Sequence, residues 1–202
     1  PLLSHDDPVA ATLQVIEAQA KFLADADLEP ESRLQIKEEL INARKFAADV
    51  SGRQMPITLV GSDTHPGNFI LQPDGDAIFV DLEKVLYGSP AIDLAHATVY
   101  TSTMWDPDVA AALDKAAIAA FYDAYFGQLP PALAQRVHPW CTPLRRLTWL
   151  RTITWCAKWK VESRNCALSN DIQYDSDYIL SVQKRVDDYF NSGTISEIRA
   201  GF

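Results

Sequence analysis

Residues 61–96 read GSDTHPGNFILQPDGDAIFVDLEKVLYGSPAIDLAH, and the types and intervals of their oxygen-bearing side chains suit metal-assisted chemistry. Asp63 and Asn68 flank a Pro66-Gly67 pair, which turns the chain sharply between them. Asp81 closes the apolar run that follows. If residues 69–80 form a hairpin, its open end brings Asn68 and Asp81 side by side, with Asp63 close to both. Amide and carboxylate oxygens are hard donors that suit Mg²⁺, an ion that takes few protein ligands and completes its shell with water and substrate phosphates. A carboxylate left free of the metal can orient and deprotonate a hydroxyl. A base, a metal-bound phosphate and an in-line approach are what phosphoryl transfer requires.

The elements that must position these groups can be read from local pattern. MPITLVGSD carries a short β-prone run into a Gly-Ser loop, as a strand would. NFILQ and AIFVD flank PDGD, whose Asp-Gly pair between apolar runs signals a hairpin with strands over residues 69–72 and 77–80. Upstream, residues 8–26 place Leu13, Ile16, Ala20 and Leu23 at helical spacing. Residues 29–50 do the same with Leu34, Leu40, Ile41 and Phe46, with Pro30 in the first turn and a stop at Ser51-Gly52. Downstream, residues 108–126, 131–140, 143–163 and 176–192 read as helices punctuated by Pro107, Pro130-Pro131 and Pro143. The pattern predicts a mainly α fold around a small β hairpin, with the polar chemistry on the hairpin's loops.

Three segments in order, SDTHPGNFIL, IFVDLE and GSPAIDLAH, resemble the aminoglycoside phosphotransferase and choline kinase group of small-molecule kinases, relatives of protein kinases in fold. That group carries an HGDxHPGN loop, a strand ending in Asp followed by an apolar residue and Glu or Gly, and a GxPxxDLA segment. The matching residues are Asp63, His65, Pro66, Gly67 and Asn68, then Asp81 and Glu83, then Gly88, Pro90, Asp93, Leu94 and Ala95. The resemblance implies that Asp63 is the catalytic base, that Asn68 and Asp81 hold Mg²⁺ and through it the nucleotide, and that Asp93 supports the loop through hydrogen bonds. His65 and Glu83 take supporting places. ATP is the implied phosphate donor, and a hydroxyl of a small molecule the acceptor: an aminoglycoside, a choline-like amino alcohol or a sugar-like compound. Two positions depart from the pattern. Gly61 stands where the group has a His that braces the loop, and Ser62 stands where it has Gly.

The implied fold is a carboxy-terminal kinase-like lobe over residues 1–202, with the catalytic loop and metal-binding hairpin in 57–95 and a helical substrate-side region in 96–202. An amino-terminal β lobe, with a nucleotide-covering loop and a phosphate-binding lysine, would precede Asp63. Residues 8–50 read instead as two helices, and no GxGxxG or GxxxxGK loop occurs, so the nucleotide-binding lobe is expected to lie outside this chain. The opening PLLSHDDP, without an initiating Met, fits a processed chain and an excised domain equally.

Several residues keep two readings. His96 and Tyr100 follow Asp93 and either line the acceptor pocket or pack into the core. Trp155 and Trp159, four apart on one helical face, suit a cage for a quaternary ammonium group or ordinary packing. A catalytically silent kinase-like binding module is the alternative that Gly61 and Ser62 raise. A metal-dependent phosphoesterase is the alternative raised by the DTH triplet, although the later GDxxD and GNH segments of such enzymes do not occur.

Composition narrows the partners. The chain has 202 residues, 48% hydrophobic and 22% charged, enough to bury a sizeable core. With 27 Asp and Glu against 18 Lys and Arg, the net charge of −9 disfavours a phosphate backbone as partner and suits either solubility or a cationic small substrate. Cys141, Cys156 and Cys166 have neither CxxC spacing nor an even count, so neither a disulfide framework nor a zinc site is expected. No apolar run or signal pattern points to membrane or export, so the reading is cytoplasmic, with no nucleic-acid or membrane partner.

Overall fold

A computed structural model describes residues 2–169 and 176–202. The fold is mainly α, with two small antiparallel β ladders. The chain divides into two compact units, one formed by the segment through Ala11 with Val50–Trp149 and Phe202, the other by Thr12–Asp49 and Leu150–Gly201.

In the first unit, β1 (Thr58–Val60) pairs with β4 (Leu86–Gly88), and β2 (Phe69–Leu71) pairs with β3 (Ala77–Phe79). The hairpin strands are each one residue shorter than the pattern predicts. The turn forms as the Asp74-Gly75 pair requires, with Gly75 at φ +93°. Strand β4 was not foreseen. Its LYG sequence has too little alternation to signal a strand, and it is held by pairing with β1 and by the amino-terminal segment, where Tyr87 N–H donates to Leu3 O (2.8 Å) and His5 N–H to Tyr87 O (2.9 Å).

Helix α3 (Pro90–Thr98) follows, capped by Ser89, and α4 (Tyr100–Thr103) continues it after a break at Val99. The helix predicted over residues 108–126 is only α5 (Lys115–Gly127). Asp114 ends the irregular stretch by capping α5, its carboxylate accepting from Ala117 N–H (2.8 Å), so the alanines before it stay outside the helix.

The two helices predicted over 131–140 and 143–163 are one, α6 (Pro131–Ser169), with Pro139 and Pro143 inside it. Each proline removes an intrahelical N–H and crowds the preceding turn. Burial of Val137, Trp140, Cys141, Leu144, Leu147 and Trp149 outweighs that loss, because these residues close the core of the first unit together with Val60, Ile92, Leu94, Ala95 and Val99.

The second unit holds most of α1 (Pro8–Ala20), a 3₁₀ turn Lys21–Ala24, α2 (Pro30–Val50), the later part of α6, α7 (Ser176–Tyr189) and α8 (Ser192–Ala200). The predicted helix 8–26 therefore ends early as a 3₁₀ turn. Helix α2 ends at Val50, as predicted, and Gly52 just beyond it takes φ +76°. Its buried face differs from the predicted one: Ile36, Leu40 and Ala43 are buried, while Leu34 and Ile41 are exposed. Glu39 lies on that buried face because Arg199 Nε donates to its Oε1 at 2.8 Å, and Ser32 because its hydroxyl donates to Phe190 O at 2.6 Å. The sequence reading missed α8, a separate helix capped by Asn191, whose Oδ1 accepts from Gly193 and Thr194 N–H.

Candidate active site

Residues 61–68 and 80–84 face one another because both β ladders run out toward the same place. The β1–β4 register pairs Val60 with Leu86, so two residues further on Ser62 falls opposite Lys84. The Ser62 hydroxyl donates to Lys84 O at 2.6 Å. The hairpin register pairs Phe69 with Phe79, so Asn68 falls opposite Val80, whose N–H donates to Asn68 O at 2.9 Å, and Asp81 is the next residue. This geometry is what a bend followed by a β ribbon dictates.

His65 caps the 3₁₀ turn Pro66–Asn68, its Nδ1 accepting Gly67 N–H at 3.2 Å, so that nitrogen carries the lone pair. A Cβ at Gly67 would stand 2.7 Å from Asp106 Oδ2 and 2.9 Å from the His65 ring, so those side chains would have to shift to admit it. The Asn68 side chain is buried and its Nδ2 donates to Asp63 O at 2.9 Å, a bond that does not engage Oδ1. Lys84 Nζ lies 2.5 Å from Asp63 Oδ2. Asp81 is exposed, in a left-handed conformation (φ +58°) at the head of the 3₁₀ turn Leu82–Lys84, on which Glu83 is also exposed.

Asp93 anchors the loop from α3. Its carboxylate accepts N–H groups from Gly61 (2.9 Å) and Ser62 (2.8 Å), and its carbonyl accepts the Thr64 hydroxyl (2.6 Å). Burial pushes the Asp93 carboxyl above its ordinary value, against the lowering pull of the two amides.

Both departures from the kinase motif have a physical account. Ser62 sits at φ +57°, a conformation that a glycine adopts without strain and that a serine holds at a cost. The hydroxyl's bond to Lys84 O offsets that cost. Gly61 is buried with the Phe79 ring against it, and a Cβ there would lie 2.4 Å from Cε1 and 2.7 Å from Cζ of that ring. The ring of Phe79, stacked on Phe69 at 5.1 Å, fills the direction in which a His side chain would project.

The donor set at the open end of the hairpin fits Mg²⁺. Asn68 Oδ1 and the Asp81 carboxylate are hard oxygens, and their residues lie one register step apart at the hairpin's end. Two protein ligands are the number that suits an ion whose remaining shell is water and phosphate.

Of the other predicted residues, His96 is buried, its Nδ1 3.4 Å from Ser102 Oγ, and Tyr100 is half-buried at the start of α4. Trp155 and Trp159 are half-buried on the part of α6 that belongs to the second unit. Cys141 and Cys156 are buried free thiols, and the Cys166 side chain lies outside those described. Sequence reasoning missed Phe79, Lys84 and Asp106. Only Lys84 had a usable signal, since pairing LYG with TLV would have set it opposite Ser62.

The fold is that of a kinase carboxy-terminal lobe: it matches an ethanolamine kinase of Plasmodium vivax with a TM-score of 0.55 at 14% identity, over 97% of this chain and 50% of that one. This chain thus spans about half the length of that protein. Residues 2–140 match the model of the phosphotransferase enzyme family, APH. The chain belongs to that family, the aminoglycoside phosphotransferase and choline kinase-like group. No curated protein matches the sequence. No helix among the described residues is long and apolar enough to cross a membrane.

Proposed function

We propose that the chain is the carboxy-terminal lobe of an ATP-dependent kinase that phosphorylates a hydroxyl of a small molecule, working with an amino-terminal nucleotide-binding lobe. The observation that carries this reading is the Asn68 amide bonded to Asp63 O, with Asp81 one register step beyond the Asn68–Val80 pair. It supports the reading because the proposed base and the two proposed metal ligands then come from neighbouring stretches of backbone.

Asn68 and Asp81 would hold Mg²⁺, which would supply positive charge to offset that of the phosphates. Asp63 orients the acceptor hydroxyl and takes its proton as the oxygen attacks the γ-phosphorus and the bond to the bridging oxygen of the departing ADP breaks. Asp93 keeps the loop in place through the Gly61 and Ser62 amides. Exposed Ile70 and Ile78, paired in register, give one face of the hairpin an apolar surface suited to a nucleobase. ATP as donor accords with a cytoplasmic setting.

The net charge of −9 and the kinship in fold with an ethanolamine kinase favour an amino alcohol over an anionic acceptor. The test is ATP consumption by the full-length protein across amino alcohols, aminoglycosides and sugars, with Asp63→Ala alongside. The expected result is turnover of one class, abolished in the variant while its circular dichroism is unchanged. A wild-type protein that binds an acceptor from the panel without consuming ATP would be a silent binding module, and the proposal would fall.

A further inference from the structure

We propose that Lys84 is a positioning residue for phosphoryl transfer: its ammonium fixes one oxygen of Asp63, so that the other oxygen is the one offered to the acceptor hydroxyl. This rests on Asp63 being the base, as proposed above. Lys84 Nζ is 2.5 Å from Asp63 Oδ2, with the two side chains 52% and 20% exposed. An ion pair that open to water adds little to stability, so its effect lies in geometry.

Both ends of the pair start from fixed backbone. Lys84 closes the turn that begins after Asp81, and its carbonyl accepts the Ser62 hydroxyl at 2.6 Å. The carbonyl of Asp63 accepts from Asn68 Nδ2 at 2.9 Å. The Asp63 backbone is therefore fixed by Asn68 and its Oδ2 by the ammonium, which makes Oδ1 the oxygen left to meet a substrate. Such preorganisation acts on the rate of the chemical step more than on binding. The family motif does not define this position, and Ser62, itself a departure from the motif, supplies the bond that anchors it.

The experiment uses the full-length protein with MgATP and an acceptor mixture of ethanolamine, choline and kanamycin. Lys84→Met is expected to lower kcat by about tenfold or more with KM for ATP changed by less than about threefold, and Lys84→Arg to recover most of the loss. In an Asp63→Asn background Lys84→Met is expected to change residual kcat by less than about twofold, because there is no longer a base to position. Mn²⁺ affinity, read by electron paramagnetic resonance without nucleotide, is expected to stay within about threefold, since Lys84 acts on Asp63 and not on the metal ligands.

An unchanged kcat in Lys84→Met overturns the proposal, as does an equal loss in the Asp63→Asn background. A loss confined to KM for ATP, or a collapse of Mn²⁺ binding, overturns it too. Near-normal turnover by Asp63→Asn would instead remove the function proposed for the site, and Lys84's role with it.

Discussion

Adding one methyl group at Gly61 tests the account of the loop most directly. In Gly61→Ala the new Cβ would lie 2.4 Å from Phe79 Cε1, where carbon atoms rest about 3.5–4.0 Å apart, so the ring must retreat by about 1 Å or more. Phe69 stacks on that ring at 5.1 Å and limits the retreat, while Asp93 holds the Gly61 amide at 2.9 Å and keeps the backbone from yielding. Overpacking of this kind costs about 1–3 kcal/mol. The half-buried ring is free to tilt outward, which places Gly61→Ala at the lower end, about 1–2 kcal/mol. Phe79→Ala alone should cost about 1–2 kcal/mol through its lost contacts. The double variant removes the clash, so it should be less destabilised than the sum of the singles by about 1 kcal/mol. Urea unfolding of the full-length protein, followed by tryptophan fluorescence, gives all three values. Additivity within about 0.3 kcal/mol would refute the contention that Phe79 occupies the place of the missing His side chain.

Two further outcomes follow from burial. Asp93→Asn leaves one of the Gly61 and Ser62 amides without an acceptor and should cost about 1–3 kcal/mol in the same assay. Because burial raises the Asp93 carboxyl above its ordinary value, its ionised form is less favoured in the folded chain than in the unfolded one. The margin of the wild type over Asp93→Asn should therefore narrow as the pH climbs from about 4 toward neutrality, and a widening margin would contradict this. Burial also pushes the Cys141 thiol up to about 12, leaving about one thiolate in ten thousand at pH 8, and it raises the fully buried Cys156 as well. Alkylation by iodoacetamide at pH 8, resolved by peptide mass spectrometry, should leave both unmodified until urea is added, and rapid native labelling of either would show that its surroundings open.

Signals confined to a few neighbouring residues were legible in the sequence. The Asp-Gly turn specifies its own hairpin, and Pro66-Gly67 specifies the bend, so Asp63, Asn68 and Asp81 could be set near one another before any fold was known. Helix α2 was legible for the same reason, with Pro30 opening it and Gly52 closing it. Elements decided by tertiary burial were not. The continuity of α6 through Pro139 and Pro143 depends on the apolar face that Val137, Trp140, Cys141 and Leu144 bury, which local propensity opposes. The stretch before Asp114 failed in the other direction: its alanines favour a helix, yet the cap at Asp114 begins α5 later. Strand β4 is three residues long and exists only through its partners.

That same dependence on partners decides how the two unusual loop residues should be judged. A motif compares each position with a typical occupant of that position alone, so Gly61 and Ser62 read as losses. In the fold the missing side chain at 61 has a counterpart at 79, reached through the hairpin, and the extra hydroxyl at 62 bonds the carbonyl at 84, reached through the β1–β4 register. A decaying loop would be expected to leave a void at Gly61 and an unrelieved strained serine at Ser62. Neither is found: the space beside Gly61 is filled, and the Ser62 hydroxyl is paired. The compensations run through residues on either side of Asp81, so they brace the strand end that carries a proposed metal ligand as well as the loop that carries the proposed base. Selection for packing alone would explain Phe79. It would not explain why the residue whose carbonyl Ser62 binds also sends its ammonium to Asp63.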